Sequence, residues 1–484
     1  MPKPLQRIRE AAIDGRTQNI YYRQTQLELL NDTLVQNSEI IQQAIIHDSC
    51  NNEVEARIEY SLALLSLREQ YTGLSAAKSL EEEYAIAQGR DAPDRREGVG
   101  IVYVVPTAYT MFYSVIAPLG AAIAAGNCVV LELENTLREV PNLLGRLLKG
   151  ALDGDTFAIA SSRVEDAHFL AGCVQVRQDG LKEPPRFTQL ASTPQARVVA
   201  VVDRTANLEE AAKALVTARF SFGGKSPYAP DCVLVNEFSK KDFLKAVTNQ
   251  SIAFLTEQNG STNKGRVNRG LEGKALVDEV REDGAARIVA SGTNGAILDV
   301  ERRESQLLRR KVSECCLVVH SVRSLDDAID LANSNEDLLA SYLFATPAAG
   351  KYLSQFIRSN VSFVNHIPVE LLVGPAAPIN YPVSATTRYS SILFTKSRPQ
   401  YIVPSQRSSV LGEVLRTGSR AALSQVYGEA TASLPVAEKR SEGGSIGFFE
   451  QGIVTGLSMT FVPLVAGIGT LGYFGLRIAM ERRR

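Results

Sequence analysis

The sequence has no excess of charge of either sign, because its 52 lysine and arginine residues nearly balance 53 aspartate and glutamate residues. A surface that neutralises the phosphates of DNA or RNA normally shows as a basic excess. We therefore expect no nucleic-acid partner.

Local clusters of metal ligands are also missing. The six cysteines and four histidines are scattered along the chain, and no CxxC or HExxH spacing occurs. Cysteines that act as small buried apolar residues in a reducing compartment are the simpler interpretation. The sequence predicts no metal site.

The N-terminus lacks the apolar stretch of a secretory signal, since it reads MPKPLQRIREAAIDGRTQ. The C-terminus differs, because residues 451–476 carry no charge and a bilayer core of about 30 Å needs about 20 helical residues. We expect a transmembrane or membrane-anchoring segment at 447–484 that contacts membrane lipid. Its glycines and Pro463 leave a re-entrant or interfacial hairpin as an open alternative.

The rest of the chain reads as helices followed by alternating strands and helices. QTQLELLNDTLVQNSEIIQQAII shows helical periodicity, whereas EGVGIVYVVP, CVVLEL, ARVVAVVD and DCVLV are short β-rich runs separated by helical stretches. Such alternation predicts parallel sheets with crossover helices. After RYSSILFTKSRPQYIVP, a polar stretch predicts a linker with one helix.

Several blocks together resemble the aldehyde dehydrogenase superfamily, in particular its shorter branch with membrane-anchored fatty aldehyde dehydrogenases. They are IDGRTQNIYYRQTQLELLNDTLVQNSEIIQQAI, EGVGIVYVVP, APLGAAIAAGNCVVLE, VVDRTANLEEAAKALVTARF and APDCVLVNEFSKKDFLKAV. The resemblance implies an α/β fold with two Rossmann-like domains. The predicted boundaries are 1–200 for a degenerate nucleotide-binding domain with N-terminal helices, 201–385 for a catalytic-type domain, 386–446 for a dimerisation strand and linker, and 447–484 for the membrane segment.

The resemblance also implies a site for cysteine-dependent oxidation of aldehydes by NAD or NADP, but the matching residues have changed. The family's cysteine stands one residue before an apolar-Ala-Pro-Asp stretch, and here Pro227 precedes Tyr228 and Ala229-Pro230-Asp231. Proline has neither a nucleophilic side chain nor a backbone N–H for an oxyanion hole.

Four further elements depart from the family pattern. Tyr109 stands in place of the oxyanion asparagine, Glu132 replaces the lysine that holds the cofactor ribose, and Glu314 lies in an altered Val-Ser-Glu-Cys-Cys block. The Glu-Leu-Gly-Gly element with the general base is absent, and the apparent deletion also removes the glycine turn that would cradle a pyrophosphate. We expect no cofactor unless the protein is nevertheless active.

Lys225 and Ser226 flank the position of the lost nucleophile, and together with Tyr109 and Tyr228 they are candidate acid–base or hydrogen-bonding groups. No histidine is near them in the sequence to activate the serine. Cys232, Cys315 and Cys316 are expected to be structural. The sequence therefore favours a protein that has lost cysteine-dependent oxidation.

Two functions remain open under that interpretation, a scaffold and a repurposed non-redox activity such as a cyclase or isomerase. The alternative is an active NAD(P)-dependent aldehyde dehydrogenase that oxidises a lipophilic aldehyde. Expected partners are membrane lipid, a lipophilic small molecule, and a homodimer or a heterodimer with an active homologue. We expect the large body to face the cytosol at a membrane such as the endoplasmic reticulum.

Overall fold

The computed structural model describes residues 3–49, 51–134, 136–181, 183–255 and 286–437, together with 450, 452–459, 461, 463–464 and 470. The chain forms two compact units, Met1–Val403 and Pro404–Arg484. Cys50 and most of the predicted membrane segment lie outside the described residues. The four domain boundaries proposed above stay predictions.

The first unit contains fourteen strands among its described residues, which form three sheets. They are β1 (Arg96–Gly98), β2 (Ile101–Val105), β3 (Cys128–Glu132), β4 (Phe157–Ala160), β5 (Cys173–Arg177), β6 (Gln189–Ala191), β7 (Val198–Val202), β8 (Cys232–Asn236), β9 (Ala286–Gly292), β10 (Gly295–Val300), β11 (Cys316–Val322), β12 (Ala340–Phe344), β13 (Ser362–Val364) and β14 (Thr395–Ser397).

Helices precede the first strand and then alternate with the later strands. Those of the first unit are α1 (Lys3–Asp14), α2 (Ile20–Gln36), α3 (Ser38–Ser49), α4 (Glu53–Thr72), α5 (Ala76–Tyr84), α6 (Met111–Ala124), α7 (Glu139–Ala151), α8 (Ala167–Ala171), α9 (Leu208–Phe220), α10 (Lys240–Leu255), α11 (Leu325–Ala332) and α12 (Pro347–Phe356). The predicted alternation is confirmed.

The first sheet has the order β4-β3-β2-β5-β6 and all its strands are parallel. The strands β2 and β3 are buried on both faces, as the continuous apolar runs IVYVV and CVVLE require. One face packs against α2, α4 and α6, and α1 covers the other. The predicted parallel sheet is confirmed.

The face that α1 covers becomes polar towards β5 and β6. Along β5, Gln175 and Arg177 point to this face, whereas Val174 and Val176 point to the apolar core. Gln189 of β6 lies beside Gln175, and its side-chain amide donates to the Gln175 side-chain oxygen at 3.5 Å. This part of the sheet therefore has no apolar surface that a further helix would need to cover.

The second sheet has the order β13-β12-β7-β8-β11-β10-β9, and only β9 runs antiparallel to its neighbour. The chain passes from β6 to β7 through residues 192–197 without an intervening helix. The strands β1 and β14 form a separate antiparallel pair. The candidate acid–base residues and Pro227 lie in loops that follow β2 in the first sheet and precede β8 in the second sheet.

Residues 404–437 of the second unit contain two helices where the sequence predicted one, α13 (Gln406–Thr417) and α14 (Arg420–Thr431). The prediction was wrong because Gly418 ends α13 in a left-handed conformation, and the Ser419 side chain then caps the start of α14. Among the described residues, no helix has the length and apolar character needed to cross a bilayer.

Candidate functional site

The loop from β2 to α6 carries Tyr109, and its phenol is held by two neighbouring groups. The Tyr109 hydroxyl donates to the Leu372 carbonyl at 2.5 Å, and the Ser226 hydroxyl lies in hydrogen-bonding contact with the phenol. Burial raises the pKa of Tyr109 well above its usual range, so the phenol stays protonated at neutral pH. The structure thus brings together Tyr109 and Ser226, which are distant in sequence.

The loop from α9 to β8 reaches Tyr109 through a tight left-handed turn. Phe222, Gly223 and Gly224 have φ values of 50°, 67° and 69°. Glycine adopts this conformation without strain, but phenylalanine does not. The Phe222 amide donates to a carboxylate oxygen of Glu55 at 2.7 Å, and the Phe222 side chain is buried, so both contacts help to fix the turn.

The four predicted residues of this loop face different environments. Lys225 is exposed, whereas Ser226, Pro227 and Tyr228 are buried. The Ser226 hydroxyl oxygen accepts from the Tyr228 amide at 3.2 Å, and the Pro227 carbonyl accepts from the Lys311 ammonium at 2.6 Å. Pro227 therefore contributes a carbonyl to the interior and no reactive group to the site.

A buried charged cluster also supports the loop. The Asp231 carboxylate accepts from the Lys311 ammonium at 3.1 Å and from the Val198 and Val312 amides at 2.7 and 3.0 Å, and Arg219 lies 3.8 Å away. Burial lowers the pKa of Lys311. These contacts hold the loop between β7 and the segment before β11.

Glu314 does not place its carboxylate beside Tyr109 in any contact that the structure records. Its side chain lies 3.7 Å from Arg310 and accepts from the Ser313 amide, while its carbonyl accepts from Arg219 at 2.6 Å. Glu314, which the sequence indicated as a degenerate cofactor contact, therefore helps to hold the loop in place.

Tyr228 is fully buried beneath a guanidinium group. The Arg388 guanidinium lies 4.9 Å from the centre of the Tyr228 ring, within the range of a cation–π contact. The Tyr228 hydroxyl oxygen accepts from the Ala377 amide at 3.1 Å, and the Tyr342 hydroxyl donates to the Tyr228 carbonyl at 2.9 Å. The Tyr228 side chain is therefore a packed element of the interior.

Residues 371–377, which we call the closing segment, bind both loops of the site. Besides the contacts with Tyr109 and Tyr228, the Gly374 amide donates to the Thr110 hydroxyl oxygen at 2.8 Å. The Arg388 guanidinium donates to carbonyl oxygens of Leu371, Val373 and Pro375. The closing segment thus occupies the space between Tyr109, Tyr228 and Arg388.

Gly374 shows how tightly the closing segment is packed. It has a φ of 90°, and a Cβ atom at this position would lie 2.5 Å from the Tyr113 ring. Such contacts are shorter than real Cβ atoms tolerate, and the positive φ favours glycine as well. The glycine lets the main chain of the closing segment lie directly on the Tyr113 ring.

Sequence reasoning missed Glu59, which reaches the site from α4. One oxygen of its buried carboxyl group accepts from the Phe112 and Tyr113 amides at 3.1 and 3.4 Å, at the start of α6, and the other has no hydrogen-bond partner among the described residues. Burial raises the pKa of Glu59 to about 7. A signal was present, because Glu59 falls in phase with the buried Ala56 and Ala63.

The carboxyl end of the first sheet, where the resemblance implied a dinucleotide, carries an ion-pair network. Glu132 is buried and accepts from the Tyr103 hydroxyl, and Arg163 lies 3.6 Å from Glu132 and 2.9 Å from Asp179. Arg177 also contacts Asp179, at 3.0 Å. The carboxylate that replaces the expected lysine is therefore already engaged by protein groups.

The end of β6 also departs from a dinucleotide site. The Ala191 carbonyl accepts from the Ile379 amide at 2.9 Å, and the Ser192 hydroxyl donates to the Ala376 carbonyl at 2.6 Å. No helix begins in residues 192–197, all of which the structure describes, so this connection offers no helix N-terminus to a pyrophosphate. The residues at this edge do not fit NAD or NADP.

The described cysteines lie in the interior. Burial raises the pKa of Cys128, Cys173, Cys232 and Cys316 to about 12 in each case, so these thiols remain protonated at neutral pH. Cys315 is also buried. No cluster of His, Cys, Asp or Glu suited to a metal ion occurs among the residues that the structure describes.

Comparisons with known proteins place these observations in a family context, although no family model matches the sequence. Aldehyde dehydrogenase family 3 member B1 of Mus musculus is 26% identical over 371 residues, which cover 70% of this chain and 77% of the relative. The dimeric NADP-preferring aldehyde dehydrogenase of Canis lupus familiaris is 24% identical over 368 residues, with 70% and 80% covered.

Solved structures show the same fold. The substrate-bound AldH of Staphylococcus aureus superposes with a TM-score of 0.65 at 18% identity and covers 84% of this chain and 94% of its own. The NADP complex of glyceraldehyde-3-phosphate dehydrogenase GapN from Methanocaldococcus jannaschii gives a TM-score of 0.62 at 15% identity, with 82% and 93% covered. The chain has the aldehyde dehydrogenase fold, and its similarity to family 3 enzymes supports a place in that superfamily.

Proposed function

We propose that this protein keeps the aldehyde dehydrogenase fold without cysteine- and NAD(P)-dependent oxidation, and that it acts as a scaffold or partner subunit. The observation that carries the proposal is the packing at the position of the nucleophile. Pro227 stands there, and the closing segment forms hydrogen bonds with Tyr109, Thr110 and Tyr228 in the two loops of the site.

The chemistry supports this conclusion in two ways. Oxidation through a thiohemiacetal needs a thiolate beside the carbonyl carbon, and burial keeps four of the described thiols protonated. Hydride transfer also needs a bound nicotinamide, whereas Glu132 is engaged by Tyr103 and Arg163 and no helix follows β6. These observations support the proposal that the protein does not bind the two reactants of the family reaction.

A scaffold is favoured over a repurposed non-redox enzyme. Tyr109 and Ser226 could act as acid–base groups, but the Tyr109 hydroxyl already donates to the Leu372 carbonyl and Ser226 is 1% exposed. A substrate would have to displace the closing segment to reach them. We propose instead that the protein forms a homodimer, or a heterodimer with an active homologue, as the name of the dimeric canine relative suggests.

The decisive experiment measures cofactor binding and oxidation together. Purified wild-type protein is titrated with NAD+ and NADP+ by calorimetry and then assayed with long-chain aldehydes, beside an active family 3 enzyme as the positive control. We expect neither binding nor turnover. Saturable cofactor binding together with aldehyde oxidation would overturn the proposal.

A Pro227→Cys variant tests whether only the nucleophile is missing. We expect it to remain inactive, because the dinucleotide site and the space for an aldehyde are missing as well. Appearance of NAD(P)-dependent oxidation in this variant, or a thioester trapped on a native cysteine, would contradict the proposal. Size measurement by light scattering, alone and with an active homologue, tests the partner role.

We further propose that residues 447–484 attach the protein to a membrane, with the large body in the cytosol. The support is the uncharged run 451–476 in the sequence. Deletion of residues 447–484 is expected to move the protein from the membrane pellet to the soluble fraction. A truncated protein that still sediments with membranes would refute this part of the proposal.

A further inference from the structure

A groove of about 710 Å³ lies between α10 and the β9–β10 edge of the second sheet, away from the loops described above. Ligand sites in proteins commonly have volumes of about 300 to 1,000 Å³. The residues that line the groove are Glu237, Lys240, Lys241, Leu244, Lys245, Thr248, Asn249, Arg287, Val289 and Asp299. Its size suits one small molecule.

The lining is aliphatic and basic. Leu244 and Val289 provide apolar surface, and the methylene stems of the lysines extend such surface. None of the described residues that line the groove is aromatic, so they offer no surface on which a nucleobase or sugar ring would stack. A flexible aliphatic chain fits this lining better than a nucleotide does.

Two of the four cations already have an anionic partner inside the protein. The Asp299 carboxylate is 2% exposed and lies 2.6 Å from the Lys240 ammonium and 3.1 Å from the Arg287 guanidinium. A buried carboxylate requires such compensation. Lys240 and Arg287 therefore form one wall of the groove in fixed positions.

The other two cations, Lys241 and Lys245, line the groove and are accessible to an external ligand. Lys241 and Lys245 are exposed and lie four residues apart, on one side of α10. Lys241 has no ion-pair partner in the part of the chain that the structure describes, and Lys245 contacts only the exposed Asp242, at 3.3 Å. Such an exposed pair contributes little. The described lining carries four cations and two carboxylates, Glu237 and Asp299, so the groove has a basic excess.

We propose that this groove binds an aliphatic chain that ends in an anionic head group, either a carboxylate or a phosphate. Leu244 and Val289 contact the chain, and Lys241 and Lys245 contact the head group. Thr248 and Asn249 add hydrogen-bonding groups beside it. This site is independent of the proposed loss of oxidation, since it shares no residue with the Tyr109 and Pro227 loops.

The test compares three ligands of equal chain length on the full-length protein: octanoate, octyl phosphate and the uncharged 1-octanol. Calorimetry is expected to show saturable binding of at least one anion and, because the head group carries much of the affinity, about tenfold weaker binding of 1-octanol. Comparison of octanoate with octyl phosphate identifies the preferred head group. Absence of anion binding, or equal binding of 1-octanol, would overturn the proposal.

The double variant Lys241→Ala/Lys245→Ala locates the site without disturbing the fold, since both side chains are exposed and neither holds Asp299. We expect about tenfold weaker anion binding or more, whereas Lys149→Ala, an exposed substitution on α7, leaves it unchanged. Unchanged binding by the double variant would place the ligand elsewhere and refute the proposal. Unaltered thermal unfolding serves as the control for folding.

Discussion

The two large sheets carry different kinds of charged cluster at their edges. At the carboxyl end of the first sheet, Arg163 and Asp179 form a pair whose side chains are 49% and 35% exposed. In the second sheet, Arg219 and Asp231 lie beside the loop that precedes β8, and their side chains are 0% and 1% exposed. The first cluster is solvated, whereas the second is enclosed by main-chain carbonyl and amide groups.

The difference shows which protein contacts occupy each half of the site. At the first edge no helix follows β6, and side chains pair with one another near solvent. At the second, buried charges hold the loop in place, and the closing segment hydrogen-bonds to the residues beside it. At both edges, protein groups contact one another at positions where the family resemblance implies reactants.

The strongest test of this contrast is Asp231→Asn. The substitution leaves Arg219 and Lys311 without their buried carboxylate, and breaking a buried pair costs about 3 to 5 kcal/mol. Urea denaturation is expected to show this loss in the free energy of unfolding. Asp179→Asn is the matched control, with an expected loss of at most about 1 kcal/mol. Equal losses would remove the contrast between the clusters.

The next largest effect concerns the pH dependence of stability through Glu59. The carboxyl's ordinary pKa of 4.5 rises to about 7 in the folded protein, because burial disfavours the charged form. The stability that the protonated group contributes is complete below about pH 4.5 and is lost as the pH rises through about 7. The expected loss is about 2 to 3 kcal/mol.

Glu59→Gln should abolish this loss, since an amide oxygen can still accept from the Phe112 and Tyr113 amides. Unfolding free energies measured from pH 4 to 8 provide the comparison, with the exposed Glu53→Gln on the same helix as control. Parallel pH profiles for wild type and Glu59→Gln would contradict the assignment.

A third effect of about 1 to 3 kcal/mol is expected for Gly374→Ala. The added Cβ meets the Tyr113 ring at a position with positive φ, so the closing segment must shift. Denaturation should show lower stability, and limited proteolysis should show faster cleavage near residue 374. Gly145→Ala in α7, where a Cβ meets no atom within 4 Å, should leave stability unchanged or slightly higher.

The smallest expected effect is that of Tyr109→Phe. It removes one hydrogen bond to the Leu372 carbonyl, with an expected cost of about 1 kcal/mol. The same denaturation measurement checks it. A loss several times larger would indicate that Tyr109 supports more than the closing segment.

Much of the fold could be predicted because its signals are local. The runs CVVLEL and ARVVAVVD become β3 and β7, and APLGAAIAAGN lies in the helix α6 and the turn that follows it. The second helix of the C-terminal unit was missed, because Gly418 and Ser419 end one helix and begin the next within two residues. Local capping was present in the sequence but was not used.

The candidate site could be predicted only in part. The matching of Tyr109 and Pro227 to family positions led to their loops, but burial and hydrogen-bond partners depend on residues far away in sequence. The contact of Arg388 with Tyr228 and the position of Leu372 beside Tyr109 have no local signal. Glu59 had one, because it interrupts the apolar face of α4.

The polar face of β5 and β6 bears on whether this sheet could carry a cofactor helix after β6. A helix after β6 would have to pack on the partly exposed Gln189 and Arg177, beside Gln175, which is already buried and donates to the Leu170 carbonyl. Covering polar groups without giving them new hydrogen-bond partners costs free energy. A thiol placed at residue 227 would leave this surface unchanged. A helix at this edge would need both an inserted segment and apolar replacements on β5 and β6.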